Sequence, residues 1–213
     1  MQPGRRRVVR AALFVAAVGL GACARKAVRG ERVPPGATVL ALGDSLTFGT
    51  GAVPEAAYPA VLAGLTGWQV VNAGVPGDTA AQALERLPDL LQVHRPSLVL
   101  LGVGGNDFLR RLPEADTREH IRRACEHIRA AAAQVLLIAV PRPSVAAAFT
   151  GSLSDHPLYG ELAQTLKLPL HRQGWADVLA DERLRSDTIH ANAQGYAKFA
   201  HGLLASARAT GLY

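Results

Sequence analysis

Gly43-Asp44-Ser45-Leu46 directly follows a short apolar run, Thr38 to Leu42, and Asp187-Thr188-Ile189-His190 lies near the other end of the chain. A serine hydroxyl is a weak nucleophile until a base takes its proton. An imidazole three residues after a carboxylate fits that need. The carboxylate holds one ring nitrogen, and the other nitrogen is left to face the hydroxyl. Ser45, His190 and Asp187 thus supply the parts of an activated-serine hydrolase. Acyl transfer also needs donors aimed at the developing oxyanion. The backbone N–H groups of Ser45 and Gly74, and the side-chain amide of Asn106 in Gly104-Gly105-Asn106-Asp107, are the candidates.

These residues are far apart in sequence, so the fold must gather them. From Ala37 onward, strand and helix patterns alternate. Short, nearly continuous apolar runs at Thr38–Leu42, Trp68–Asn72, Ser97–Val103 and Val135–Val140, with a weaker one at Leu168–His171, read as strands covered on both faces. Helical patterns lie between them at Glu55–Leu65, Thr79–His94, Asp116–Ala133 and Ala193–Ala209. Asp78 or Thr79 is the expected cap of the second helix, and Pro88 an expected kink or break within it. Asp116 or Thr117 is the expected cap of the third, with Glu119 near a capping-box position. Repeated β-α units imply a three-layer α/β/α domain on a five-stranded parallel sheet with right-handed crossovers. In the flavodoxin-like order 2-1-3-4-5, the first strand lies between the second and third. The functional crevice then opens at their carboxyl ends, with Gly74 and Asn106 on either side of Ser45.

At this point the chain resembles the SGNH (GDSL-type) hydrolases, most closely the bacterial multifunctional thioesterase, lysophospholipase and arylesterase branch. Gly43-Asp44-Ser45-Leu46 matches the first family block, Gly74 within Val71 to Thr79 the second, Gly104-Gly105-Asn106-Asp107 the third, and Asp187-Thr188-Ile189-His190 the fifth. The similarity covers about Thr38 to Leu204. It implies Ser45 as nucleophile, Asp187 and His190 as its partners, and Ser45, Gly74 and Asn106 as the oxyanion hole. It implies hydrolysis of acyl or aryl esters and thioesters with no cofactor. A deacetylase of cell-envelope or exported polysaccharide uses the same chemistry and stands as the alternative. A tethered accessory lipoprotein with a degenerate pocket is a third reading, opposed by the intact residue set. Two departures stand out. Ala191 occupies a position where many relatives carry proline, and Pro141–Tyr159, where a substrate-covering loop belongs, differs from them in detail.

Composition narrows the class further. The 213 residues suffice for one domain, and the 49% hydrophobic content suffices for a packed core. Arg5, Arg6, Arg7 and Arg10 precede Cys23, which leaves 19 basic and 17 acidic side chains after it, a net charge of +2. That near-balance and the 5% aromatic content argue against a nucleic-acid surface. Residues 1–22 read as a signal peptide. The apolar run Ala11 to Ala22 reaches only about 18 Å as a helix, short of the ~30 Å hydrocarbon core. Leu20-Gly21-Ala22-Cys23 resembles a lipobox, so Cys23 is the expected lipidation site and residues 23–36 a solvated tether to the domain at 37–213. The expected location is the periplasmic face of a bacterial membrane, with the outer membrane favoured because Ala24 is not aspartate. The expected partners are a small acyl substrate and the membrane, with the protein a monomer. Cys125 reads as a small buried side chain. No His or Cys spacing resembles a metal site, and Asp44, Asp78 and Asp107 read as turn and cap residues. His156, in the Pro141–Tyr159 loop, reads as a candidate for the substrate entrance.

Overall fold

The computed structural model describes residues 28–142 and 153–213. Five strands form one parallel sheet: β1 (Thr38–Gly43), β2 (Gln69–Gly74), β3 (Leu98–Gly102), β4 (Gln134–Ile138) and β5 (Leu170–His171). Their order is β2-β1-β3-β4-β5, as the alternating pattern predicts. Leu40, Leu42, Leu98, Leu100 and Leu101 are fully buried, which explains why these strands read as unbroken apolar runs.

The helices are α1 (Ser45–Phe48), α2 (Tyr58–Thr66), α3 (Ala80–His94), α4 (Gly105–Leu109), α5 (Glu114–Ala130), α6 (Pro157–Leu166), α7 (Gly174–Leu179) and α8 (Ala193–Ala209). Single 3₁₀ turns lie at Pro54–Ala56 and Glu182–Leu184. Thr79 caps α3 in a full capping box with Gln82. Of the kink or break expected at Pro88, the break does not occur: α3 runs through it to His94. The buried stripe Ala80, Ala83, Leu84, Leu87 and Leu91 holds the helix on the sheet through the lost hydrogen bond.

The expected caps of α5 are also corrected. The helix starts earlier, at Glu114 after Pro113, so Asp116 and Thr117 lie inside it. Glu114 and Asp116 place negative charge in the first turn, where the helix dipole favours it. Glu119 pairs with Arg122 instead of capping. Cys125 is fully buried in α5, and burial pushes its thiol up to about 12.

Residues before β1 are not wholly solvated. Gly30 and Val33 donate their N–H groups to Thr210 and Leu212, and Val33 is buried beneath Trp68, whose indole N–H donates to its carbonyl. Cys23 and the signal segment lie outside the described residues, as does 143–152 within the expected covering loop. The described part of that loop is tied down: Pro141 bridges to Asp155, and Arg142 N–H donates to the Ser154 carbonyl.

An aromatic cluster joins the two ends of the domain. Trp175 stacks on Phe199 at 3.6 Å, and Tyr58 meets Phe199 edge-on at 4.9 Å. The Tyr58 hydroxyl bonds Thr47 in α1, and Tyr196 in α8 donates its O–H to the Thr50 carbonyl. Buried aromatics of this kind combine large apolar area with a directed polar end. Here the directed ends fasten the segment after β1 to the last helix.

Candidate active site

Three glycines end three neighbouring strands in register: Gly43 opposite Gly74 on one side and Gly102 on the other. A Cβ at Gly43 would stand 1.9 Å from Thr47 Oγ1, and one at Gly74 would stand 2.1 Å from the Phe48 nitrogen. The missing side chains let the short helix α1 sit directly on the sheet's carboxyl edge. Asp44 caps that helix by accepting the Leu46 N–H at 3.0 Å, so Ser45 is its first residue.

The partner residues come from the loop before α8. Asp187 Oδ1 accepts the N–H groups of Ile189 and His190, each at 2.8 Å, which folds Asp187–His190 into a tight turn. The His190 carbonyl accepts the Ser186 N–H, and Asn192 caps α8 while its amide donates to the carbonyls of Arg183 and Arg185. Ala191 is fully buried here. The turn is therefore braced at both ends although Asp187 is exposed.

This bracing brings the imidazole to the serine across 145 positions of sequence. His190 Nε2 lies 3.0 Å from Ser45 Oγ, and Nδ1 lies 2.7 Å from Asp187 Oδ2. The carboxylate assigns the tautomer: Nδ1–H donates to Asp187 and Nε2 accepts the serine O–H. Burial alone would raise the Asp187 pKa. The bond to His190 and the two backbone N–H groups outweigh it and hold the carboxylate below its ordinary range.

The oxyanion side differs in part from expectation. Ser45 N–H, at the first position of α1, has no acceptor among the described residues. Asn106 follows β3 as expected, but in the short helix α4 and not in a loop, and its amide donates to the Asp78 carbonyl at 2.9 Å. Asp107 supports it, accepting the first N–H of α3 and the Thr117 hydroxyl. Gly74 sits beside α1, but its N–H already donates to Asn72 Oδ1 at 3.0 Å. Its lack of a side chain serves packing against Phe48.

The free amide nearby is that of Gly77. Val75 to Asp78 form a turn closed by Asp78 N–H to the Val75 carbonyl, with Pro76 second and Gly77 third at φ +87°. That is the pattern of a type II turn, which turns the Gly77 N–H away from the closing bond. Among the described residues the Gly77 N–H has no acceptor, while its carbonyl accepts from Arg110. The Pro-Gly dipeptide was the available sequence signal.

Asp44 is only 3% exposed, and burial pushes its carboxyl up to about 6 against the pull of the Leu46 N–H and of His190. Asp78 pairs with Arg86 at 2.8 Å, and Arg86 also donates to the Gly43 carbonyl. All three expected cap aspartates thus have structural bonds, and no cluster of His, Cys, Asp or Glu fit for a metal occurs among the described residues. His156 is buried as the cap of α6. It stacks on Phe108 at 4.1 Å and does not stand at an open entrance.

Comparison with known proteins fits this geometry. A profile of the GDSL-like lipase/acylhydrolase family matches residues 41–198. The chain is 37% identical over 161 residues to the Escherichia coli thioesterase 1/protease 1/lysophospholipase L1, covering 73% of this chain and 76% of that protein. It is 36% identical over 110 residues to an arylesterase of Vibrio mimicus, covering 49% of this chain and 55% of that one. Among solved structures, that of TesA superposes with a TM-score of 0.71 at 27% identity, over 80% of this chain and 98% of the other.

Proposed function

The chain belongs to the GDSL-like lipase/acylhydrolase family and is an ester hydrolase, and we propose that it cleaves acyl esters and thioesters through an acyl-serine intermediate at Ser45. The observation that carries this reading is the continuous relay of Ser45 Oγ, His190 Nε2, His190 Nδ1 and Asp187 Oδ2, at 3.0 and 2.7 Å.

The steps follow from the relay. Ser45 Oγ attacks the substrate carbonyl as its proton passes to His190 Nε2. The imidazolium is stabilised by Asp187, which stays ionised. The carbonyl oxygen becomes an oxyanion and is received by the Ser45 N–H, the Asn106 amide and the Gly77 N–H, the last in place of Gly74. His190 then gives its proton to the departing alcohol or thiol. A water activated by His190 hydrolyses the acyl-enzyme and restores the free hydroxyl. Every proton is moved by the chain's own groups.

The relatives named thioesterase, lysophospholipase and arylesterase favour acyl and aryl esters over acetylated polysaccharide. The test is Ser45→Ala on short-chain p-nitrophenyl esters. Turnover falls by at least about 10⁴-fold while the thermal melt is retained. Labelling of the intact protein by a fluorophosphonate probe is lost in the same variant. Wild-type turnover in Ser45→Ala would refute the assignment.

A further inference from the structure

We propose that Asp44 is a positioning residue for the oxyanion hole, holding the Asn106 amide through its second carboxylate oxygen. The inference rests on the acyl-transfer reading above. Asp44 Oδ1 does the work of an N-cap, accepting the Leu46 N–H at 3.0 Å. Asparagine or serine would cap α1 as well, so capping alone does not account for the contact that Oδ2 makes.

Oδ2 is buried against the first turn of α4. Its donor there is Asn106 Nδ2 at 3.4 Å, and a Cβ on Gly105 would stand 3.3 Å from it. Asn106 Nδ2 carries two hydrogens. One is committed to the Asp78 carbonyl at 2.9 Å. The other is drawn toward Asp44, the residue immediately before Ser45, and so toward the turn that carries the nucleophile. Two acceptors on separate loops, one after β1 and one after β2, thus set the plane of the amide. The contact to Asp44 is long, so Asp44 orients the amide before reaction while its second hydrogen stays able to turn to an oxyanion without a tight bond being broken.

The fold's electrostatics agree. Burial opposes the ionised form of Asp44, and a strained carboxyl kept beside a nucleophile is the pattern of a functional group.

A double-substitution cycle tests this on p-nitrophenyl butyrate. Asp44→Asn lowers kcat about tenfold with KM unchanged within about twofold. In an Asn106→Ala background the same change alters kcat by less than about twofold, because the group it acts through is gone. Equal losses in both backgrounds would overturn the proposal. Asp44→Ser guards against a folding artefact, since it keeps a capping oxygen but is too short to reach Asn106. It shows the same loss with the thermal melt preserved. Wild-type kcat in Asp44→Ser would mean that the cap alone suffices, and the proposal would fall. Loss of activity in Asn106→Ala itself is a separate readout. Its absence would sink the oxyanion reading and this inference with it, whereas additivity would sink this inference alone.

Discussion

Asp44 and Asp187 flank one hydroxyl and are handled in opposite ways. Asp44 is 3% exposed, has one firm donor, and its carboxyl is pushed up to about 6. The Asp187 side chain is 52% exposed, accepts three hydrogen bonds, and is held below the usual carboxylate range. At Asp44 burial outweighs its donors and destabilises the anion; at Asp187 three donors outweigh a smaller burial and stabilise it. The difference extends to the regions they belong to. The proposed oxyanion side is built into the glycine-ended edge of the sheet, where a displaced atom would disturb both fold and chemistry. The base side is a loop held by its own local bonds, where the chemistry is separable from the fold.

The largest effect that sharpens this contrast is Asp187→Asn. The amide cannot hold the tautomer that leaves Nε2 free to accept, so kcat falls about 10³-fold. Stability to urea changes by less than about 1 kcal/mol, since an exposed pair contributes little to the fold. An unfolded Asp187→Asn variant would erase the distinction between the two regions.

The opposite pattern is expected at Asp44. Its folded pKa, about 6, lies above the ordinary 3.8. The native state therefore binds the extra proton, and stability falls as pH rises from about 4 through about 6. Above that range a shift from 3.8 to about 6 corresponds to about 3 kcal/mol of lost stability. Asp44→Asn removes this penalty. The variant is more stable than wild type by up to about 3 kcal/mol at pH 8, and the gap closes near pH 4, while activity falls as argued above. Urea melts of both proteins at the two pH values measure it. A variant less stable at pH 8 would show that the buried charge supports the fold.

The sheet order, the last helix and the positions of Ser45, Asn106, Asp187 and His190 were legible because apolar runs and polar blocks are local signals. Short elements were not. Helix α4 depends on Asp107 reaching the first N–H of α3, a bond that no spacing announces. The continuity of α3 through Pro88 and the early start of α5 are likewise set by packing and by Pro113. The glycine question turned on backbone geometry. Gly74 and Gly77 are both in the second block, and only φ and the Asn72 bond separate the packing glycine from the one with a free N–H. Substitution tells them apart. Gly74→Ala drives a Cβ into the Phe48 backbone and destabilises the fold by about 2 kcal/mol or more. Gly77→Ala meets nothing nearer than Arg110 Nη2 at 3.5 Å and suffers only the left-handed strain, about 1 kcal/mol, so a fall in its kcat beyond that seen in stability reports the hole.

The smallest effect probes the strut between the two regions. Tyr196 donates its O–H to the Thr50 carbonyl at 2.8 Å, joining α8 to the loop after α1. Tyr196→Phe keeps the ring in the aromatic cluster and leaves that carbonyl without its donor, which costs about 1 kcal/mol. If the base loop is held by its own bonds, the distance from His190 to Ser45 does not depend on this strut, and kcat changes by less than about threefold. A loss of tenfold or more, at a stability change of only about 1 kcal/mol, would mean that the loop borrows its position from α8. The separation between a sheet-built side and a self-braced side would then fail at its one direct link.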